Sequence, residues 1–276
     1  MSAPLPPVVL IHGLWMTPHS WTPWIDRFRA RGHEVLAPGW PGVDDRSVAE
    51  VRRDPSALRG VGLAQITDHF DSIIRALPQR PVIMGHSFGG VITQMLADRG
   101  LGAACVGVET GQTAGVRRVP LSTARTGLPV LWNPFGRNGA SPISKRHFHY
   151  TFGNDLPRAE SDRRWEELAI NSYNRVLFEG VTSVFNGRSG VTRVDYGREQ
   201  RAPLLVIMGG ADHVVPPVIG RDLVERYRST GSPAVVELKE FPGRTHRIVS
   251  QDGWEEVADF ALEWAVTHAA VAAERP

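Results

Sequence analysis

Short apolar runs alternate with stretches of helical periodicity along most of this chain, and no feature constrains the fold more. Val8-Val9-Leu10-Ile11, Glu34 to Ala37, Val82 to Met84, Ala104 to Glu109, Leu204 to Met208 and Ala234 to Phe241 each read as a strand. Their apolar faces are nearly continuous, as expected of strands covered on both sides. Between them lie predicted helices over Ser20 to Arg31, Leu63 to Leu77, the segment after Ser87 to Arg99, Val218 to Arg228 and Trp254 to Ala269. Gly32, Pro78 and Gly100 stop the first three. Strict alternation of this kind implies an α/β fold, a mostly parallel central sheet flanked by helices.

The alternation breaks once. From Gly111 to Ala202, roughly ninety residues carry a single clear helical stripe over Asp162 to Glu179, through Trp165, Leu168, Ala169, Tyr173, Val176 and Leu177. An interruption of that length reads as an inserted cap. The expected organisation is a core domain of residues 1–110 and 203–276 with a largely helical cap over 111–202.

The chemistry concentrates where strand passes to helix. Pro81 to Gly90 reads PVIMGHSFGG, a serine centred in Gly-x-Ser-x-Gly. The glycines allow a sharp turn that holds Ser87 strained and exposed at the end of its strand. The following helix start aims backbone N–H groups and a positive dipole end at the same place. A serine hydroxyl is a poor nucleophile unless a histidine takes its proton and an acid orients that histidine. The strand Leu204 to Met208 runs into Gly209-Gly210-Ala211-Asp212, and the strand Ala234 to Phe241 into Pro242-Gly243-Arg244-Thr245-His246. Serine, acid and histidine therefore each follow a predicted strand, on one edge of the sheet. Glu109, at the end of the strand Ala104 to Glu109, is the alternative acid, and otherwise a residue that supports the triad from behind or binds substrate. His213, directly after Asp212, is the alternative base.

With His12-Gly13 after the first strand, Gly85-x-Ser87-x-Gly89, Gly209-Gly210-x-Asp212-x-x-x-Pro216 and the late Gly243-x-x-His246, the chain resembles the α/β-hydrolase family over its length apart from the cap. The resemblance implies a catalytic triad of Ser87, Asp212 and His246. It also implies an oxyanion hole made by the backbone N–H groups of Leu14 and Phe88, with Trp15 next in line, and a structural role for His12. The expected reaction is cofactor-independent hydrolysis of a carboxylic ester, thioester or lactone through an acyl-enzyme on Ser87. The same triad serves carbon–carbon bond hydrolases and non-metal haloperoxidases or perhydrolases. Epoxide hydrolases and haloalkane dehalogenases of this fold attack with a carboxylate, which a serine at position 87 argues against. The rival from outside catalysis is a hydrolase-fold protein that binds a ligand or serves as a biosynthetic scaffold or cyclase.

Eight tryptophans are present. Trp15, Trp132 and Trp165, with Glu109, are the candidate substrate-contacting residues, which suits an apolar or aromatic small molecule. Trp21, Trp24, Trp254 and Trp264 read as helix packing, and His86 as packing behind the elbow. His147 and His149 form a His-x-His pair with no third ligand nearby, so no metal is expected. No phosphate-binding glycine loop precedes a suitable acid, so no cofactor is expected either.

Thirty-one basic and 29 acidic residues leave a formal charge of +2, which excludes a general polyanion-binding composition and argues against nucleic acid. Cys105 is the sole cysteine and lies in an apolar strand, which suits packing. MSAPLPPVVLIHG lacks a basic region and a long apolar stretch, so a cytoplasmic protein without a membrane partner is expected.

Overall fold

The computed structural model describes residues 5–44 and 46–273. Met1 to Pro4 of the amino-terminal stretch lie outside them. Six parallel strands form one sheet: β1 (Val8–Ile11), β2 (Val35–Leu36), β3 (Val82–His86), β4 (Ala104–Val108), β5 (Leu204–Gly209) and β6 (Val236–Phe241), in the order β2-β1-β3-β4-β5-β6. Register is set by pairs such as Leu10 with Met84, Met84 with Val106 and Val106 with Leu205. Strands β1, β3, β4 and β5 are buried throughout, because helices cover both faces.

Alternate side chains divide the core in two. Val8, Leu10, Met84, Val106 and Ile207 face α1 (Thr22–Ala30) and α10 (Trp254–Ala273), while Val9, Ile11, Ile83, Cys105 and Val206 face the opposite layer. That second layer holds α2 (Val48–Arg53), α3 (Leu63–Arg75), α4 (Phe88–Asp98) and α9 (Pro217–Arg228). Cys105 is fully buried there, and burial pushes its thiol up to about 12, so it stays protonated. No described helix is long and apolar enough to cross a membrane.

Strand order reverses direction between β1 and β3, so the loops leaving those strands diverge and open a crevice at the carboxyl edge. Four helices lie between β4 and β5: α5 (Leu121–Leu131), α6 (Lys145–Phe152), α7 (Arg158–Leu168) and α8 (Asn174–Asn186). The single expected helix over Asp162 to Glu179 is in fact two. Ala169 turns extended, and the backbone groups between α7 and α8 find partners elsewhere. Ile170 N–H donates to the Trp15 carbonyl (2.8 Å), and Arg52 Nε–H to that of Ala169 (2.6 Å). Tertiary hydrogen bonds thus replace helical ones across an apolar stripe that continues through the break.

Candidate active site

Three non-glycine residues with positive φ occur among the described residues: Trp15 (66°), Ser87 (57°) and Glu109 (45°). They follow the neighbouring strands β1, β3 and β4, so backbone strain is gathered at one edge of the sheet. Ser87 is held there by its N–H bond to the Val108 carbonyl (2.9 Å) and by Gly90 N–H on its own carbonyl (2.9 Å). It occupies the N-cap position of α4 without capping the helix through its side chain, which leaves the hydroxyl uncommitted. Gly89 is obligatory, because a Cβ there would collide with the Ile11 carbonyl.

The loops after β5 and β6 bring Asp212 and His246 together. His246 Nδ1–H donates to Asp212 Oδ2 at 2.6 Å, with both side chains fully buried. Asp212 Oδ1 accepts from the N–H groups of Val214 (2.6 Å) and Val215 (3.0 Å). Burial works against charge on Asp212, but the His246 ring and its hydrogen bond outweigh it, and the carboxyl lies below its ordinary range. Nε2 of His246 has no hydrogen-bond partner among the described residues, Ser87 Oγ included. His86 ties the two regions: its Nε2–H donates to the His246 carbonyl (2.9 Å), and the two rings lie 4.7 Å apart. Burial, reinforced by the facing His246, lowers His86 to about 3, so it stays neutral and its role is packing and positioning.

Glu109 lies beside this pair without bonding His246. Ligand atoms of Glu109, Asp212 and His246 all fall within 4.8 Å of one another. Neither Glu109 oxygen meets a donor among the described residues. Burial and then the Asp212 charge raise its pKa well above the ordinary value. The folded state therefore holds a proton that the unfolded chain releases near pH 4.3. Stability associated with Glu109 is complete below that pH and declines as pH rises toward the folded pKa. Relative to the wild type, Glu109→Gln is thus expected to gain stability over that window, by up to about 1.4 kcal/mol per pH unit. Urea unfolding at several pH values checks the sign; a difference that does not change with pH contradicts a protonated Glu109.

His12 secures the loop after β1. Its Nδ1–H donates to the Gly13 carbonyl (2.9 Å), and its Nε2 accepts from Trp40 N–H (3.1 Å). Burial lowers its pKa to about 4 despite the Gly13 bond, which keeps this one neutral tautomer in place. The loop lies close against the elbow, since a Cβ on Gly13 would come within 2.9 Å of Ser87 Cβ. Leu14 N–H has no acceptor in the loop, and Phe88 N–H is one of the free donors of the first turn of α4.

The apolar wall differs from the expected one. Trp15 is buried, edge-on to Phe152 (6.2 Å) and His147 (6.3 Å), and Phe152 leans on the His246 ring (5.4 Å). Trp132, in contrast, is 74% exposed at the end of α5 and is not among the residues that border the cleft beside His246, because α5 turns that side outward. Trp165 is committed elsewhere: its Nε1–H donates to the Ile143 carbonyl (2.7 Å), and the guanidinium of Arg52 in α2 stacks on its ring. In their place stand Phe148 and Phe152 of α6, which with Met16, Leu168, Arg247 and His246 border a small cleft that opens to solvent. Their i, i+4 spacing after the helix-capping Ser144 is the sequence signal that marks them. His213 is exposed and faces Tyr150 and Asn154, away from the base position. His147 is committed to the Thr126 carbonyl (2.8 Å).

Residues 8–260 match the alpha/beta hydrolase family, to which the chain belongs. A comparison with curated proteins found no match. Among solved structures, a monoacylglycerol lipase of Paleococcus ferrophilus is similar, with TM-score 0.64 and 20% identity over 95% of this chain and 96% of that one. An Arabidopsis methylesterase aligns with TM-score 0.66 and 12% identity, over 94% and 98%. An extracellular α/β-hydrolase from a Paenibacillus species aligns with TM-score 0.64 and 18% identity, over 94% and 98%. At such identities the likeness speaks for the fold alone.

Proposed function

We propose that this protein is a serine hydrolase of small, largely apolar carboxylic esters, working through an acyl-enzyme on Ser87. The observation that carries the reading is the buried Asp212–His246 pair, bonded at 2.6 Å, with Nε2 left free beside the elbow. His246 Nε2 takes the Ser87 proton as Oγ attacks the carbonyl carbon. Asp212 fixes the tautomer in which Nδ1 bears hydrogen and offsets the positive charge that develops on the ring. The N–H groups of Leu14 and Phe88 receive the oxyanion, a contribution of about 3 kcal/mol for each donor. His246 returns the proton to the departing alcohol, then activates water to release the acid.

Esters are favoured over more polar substrates because Met16, Phe148 and Phe152 border the cleft as an apolar wall, with Trp15 packed edge-on behind Phe152. Phe152→Ala is expected to raise KM for aryl and medium-chain esters about ten-fold, through loss of side-chain contact. Its effect on kcat indicates how far the ring also supports His246. A chain-length series of p-nitrophenyl esters, with lactones and thioesters alongside, separates these cases. A fluorophosphonate probe tests the central assignment: it should label the wild type and spare Ser87→Ala, and equal labelling of both would exclude Ser87 as the nucleophile.

A further inference from the structure

We propose that the insertion between β4 and β5 docks on an anionic lipid surface through α5 and the turn that follows it. Large apolar side chains are concentrated there in the open. Leu121 is 90% exposed, Leu128 60%, Trp132 74% and Phe135 99%. The first three share one stripe at helical spacing, and Phe135 extends it beyond the helix end. The opposite side of α5, through Thr126, Gly127 and Val130, is buried. The protein's interior thus accounts for one side of this helix and leaves the apolar stripe without a partner among the described residues.

Charge indicates what covers it. Between Glu109 and Asp155 the sequence has no acidic residue and six basic ones: Arg117, Arg118, Arg125, Arg137, Lys145 and Arg146. The rest of the chain is net acidic, so the positive charge is confined to the segment that bears the stripe. Arg118 pairs with Asp222 and Lys145 with Glu166. Arg117, Arg125, Arg137 and Arg146 are exposed and take part in no ion pair among the described residues. Exposed apolar and aromatic side chains among unpaired cations fit an interfacial segment on anionic headgroups. A second copy of this chain fits poorly, since it would bring like charges together. Side chains that stand almost wholly clear of their neighbours also suit a phase they can enter better than a rigid complementary groove. No spanning helix is needed.

The stripe and the candidate site are joined through the buried side of α5. The α5 carbonyl of Thr126 accepts from His147 of α6, and His147 and Phe152 both meet Trp15. The proposal stands apart from the hydrolase reading, because vesicle flotation does not depend on turnover and Ser87 labelling does not depend on vesicles.

The test is flotation of the full chain with phosphatidylcholine vesicles and with vesicles of phosphatidylcholine and phosphatidylglycerol. Preferential flotation with the anionic vesicles is expected, declining with added salt. Each substitution of Arg117, Arg137 or Arg146 by Gln should weaken partitioning about five-fold. Leu128→Ser with Phe135→Ser should weaken it at least about ten-fold, with the unfolding midpoint retained. Equal flotation with neutral and anionic vesicles would overturn the proposal, as would undiminished flotation of the doubly substituted chain. A vesicle-free dimer that these two substitutions dissolve, seen by light scattering, would assign the stripe to self-association instead.

Discussion

Replacing Ser87 with alanine is expected to lower kcat for a p-nitrophenyl ester about 10⁴- to 10⁶-fold, with the unfolding midpoint nearly unchanged. The size of the loss follows from the division of labour in the site. In the proposed mechanism the acyl-enzyme cannot form without Oγ, and what remains is the cleft with the N–H groups of Leu14 and Phe88. The small effect on stability follows from local geometry. Ser87 Oγ makes no hydrogen bond among the described residues, and alanine adopts the φ of 57° about as poorly as serine. His246→Ala should lose about as much activity as Ser87→Ala, and the double variant little more, because nucleophile and base act as one unit. Single-turnover kinetics on the purified variants measures this. Losses that multiply in the double variant would show that the two residues act independently, and the acyl-enzyme reading would fail.

The core of this arrangement was legible in the sequence because it depends on local rules. The apolar runs of β1, β3, β4 and β5 are buried on both faces, as strands alternating with helices in a covered parallel sheet are. Ser87, Asp212 and His246 each follow a strand, and the sheet itself carries them to one edge. The contacts between distant segments were not legible. Trp132 and Trp165 have the composition of pocket residues, but which face of a helix between β4 and β5 turns inward depends on its docking, and Trp132 is turned outward. The break at Ala169 depends on the Ile170 bond to Trp15, some 155 positions back along the chain, and no helical periodicity reports it. The wall that meets His246 comes from α6, a short helix whose Lys145–Phe152 sequence is rich in histidine and aromatic residues of modest helix propensity. Glu109 remained an alternative acid on position alone. The 2.6 Å bond from His246 goes to Asp212, and Glu109 lies next to that carboxylate.

That juxtaposition carries the second large expected effect. Asp212→Asn should lower kcat about 10⁴-fold at neutral pH, because the amide donates to Nδ1 and leaves hydrogen on Nε2, where a base must accept. In the wild type, burial and then the Asp212 charge keep Glu109 protonated. Removing the Asp212 charge leaves burial alone opposing ionisation, so the Glu109 pKa falls in the variant. Once ionised, Glu109 places a negative charge within reach of the His246 ring, from the end of the neighbouring strand β4. The residual activity of Asp212→Asn is therefore expected to climb as pH rises, by about ten-fold across the titration of Glu109. The double variant with Glu109→Gln should stay at the lower level, since it has no second carboxylate to ionise. Glu109→Gln alone should retain most wild-type activity, because Asp212 still holds the imidazole. Parallel kcat profiles of the three variants from mildly acidic to alkaline pH decide the matter. If Asp212→Asn and the double variant rise together, hydroxide explains the increase and Glu109 has no latent role. If Glu109→Gln alone is as damaged as Asp212→Asn, the two carboxyl groups act as one, and the acid of this site is the pair.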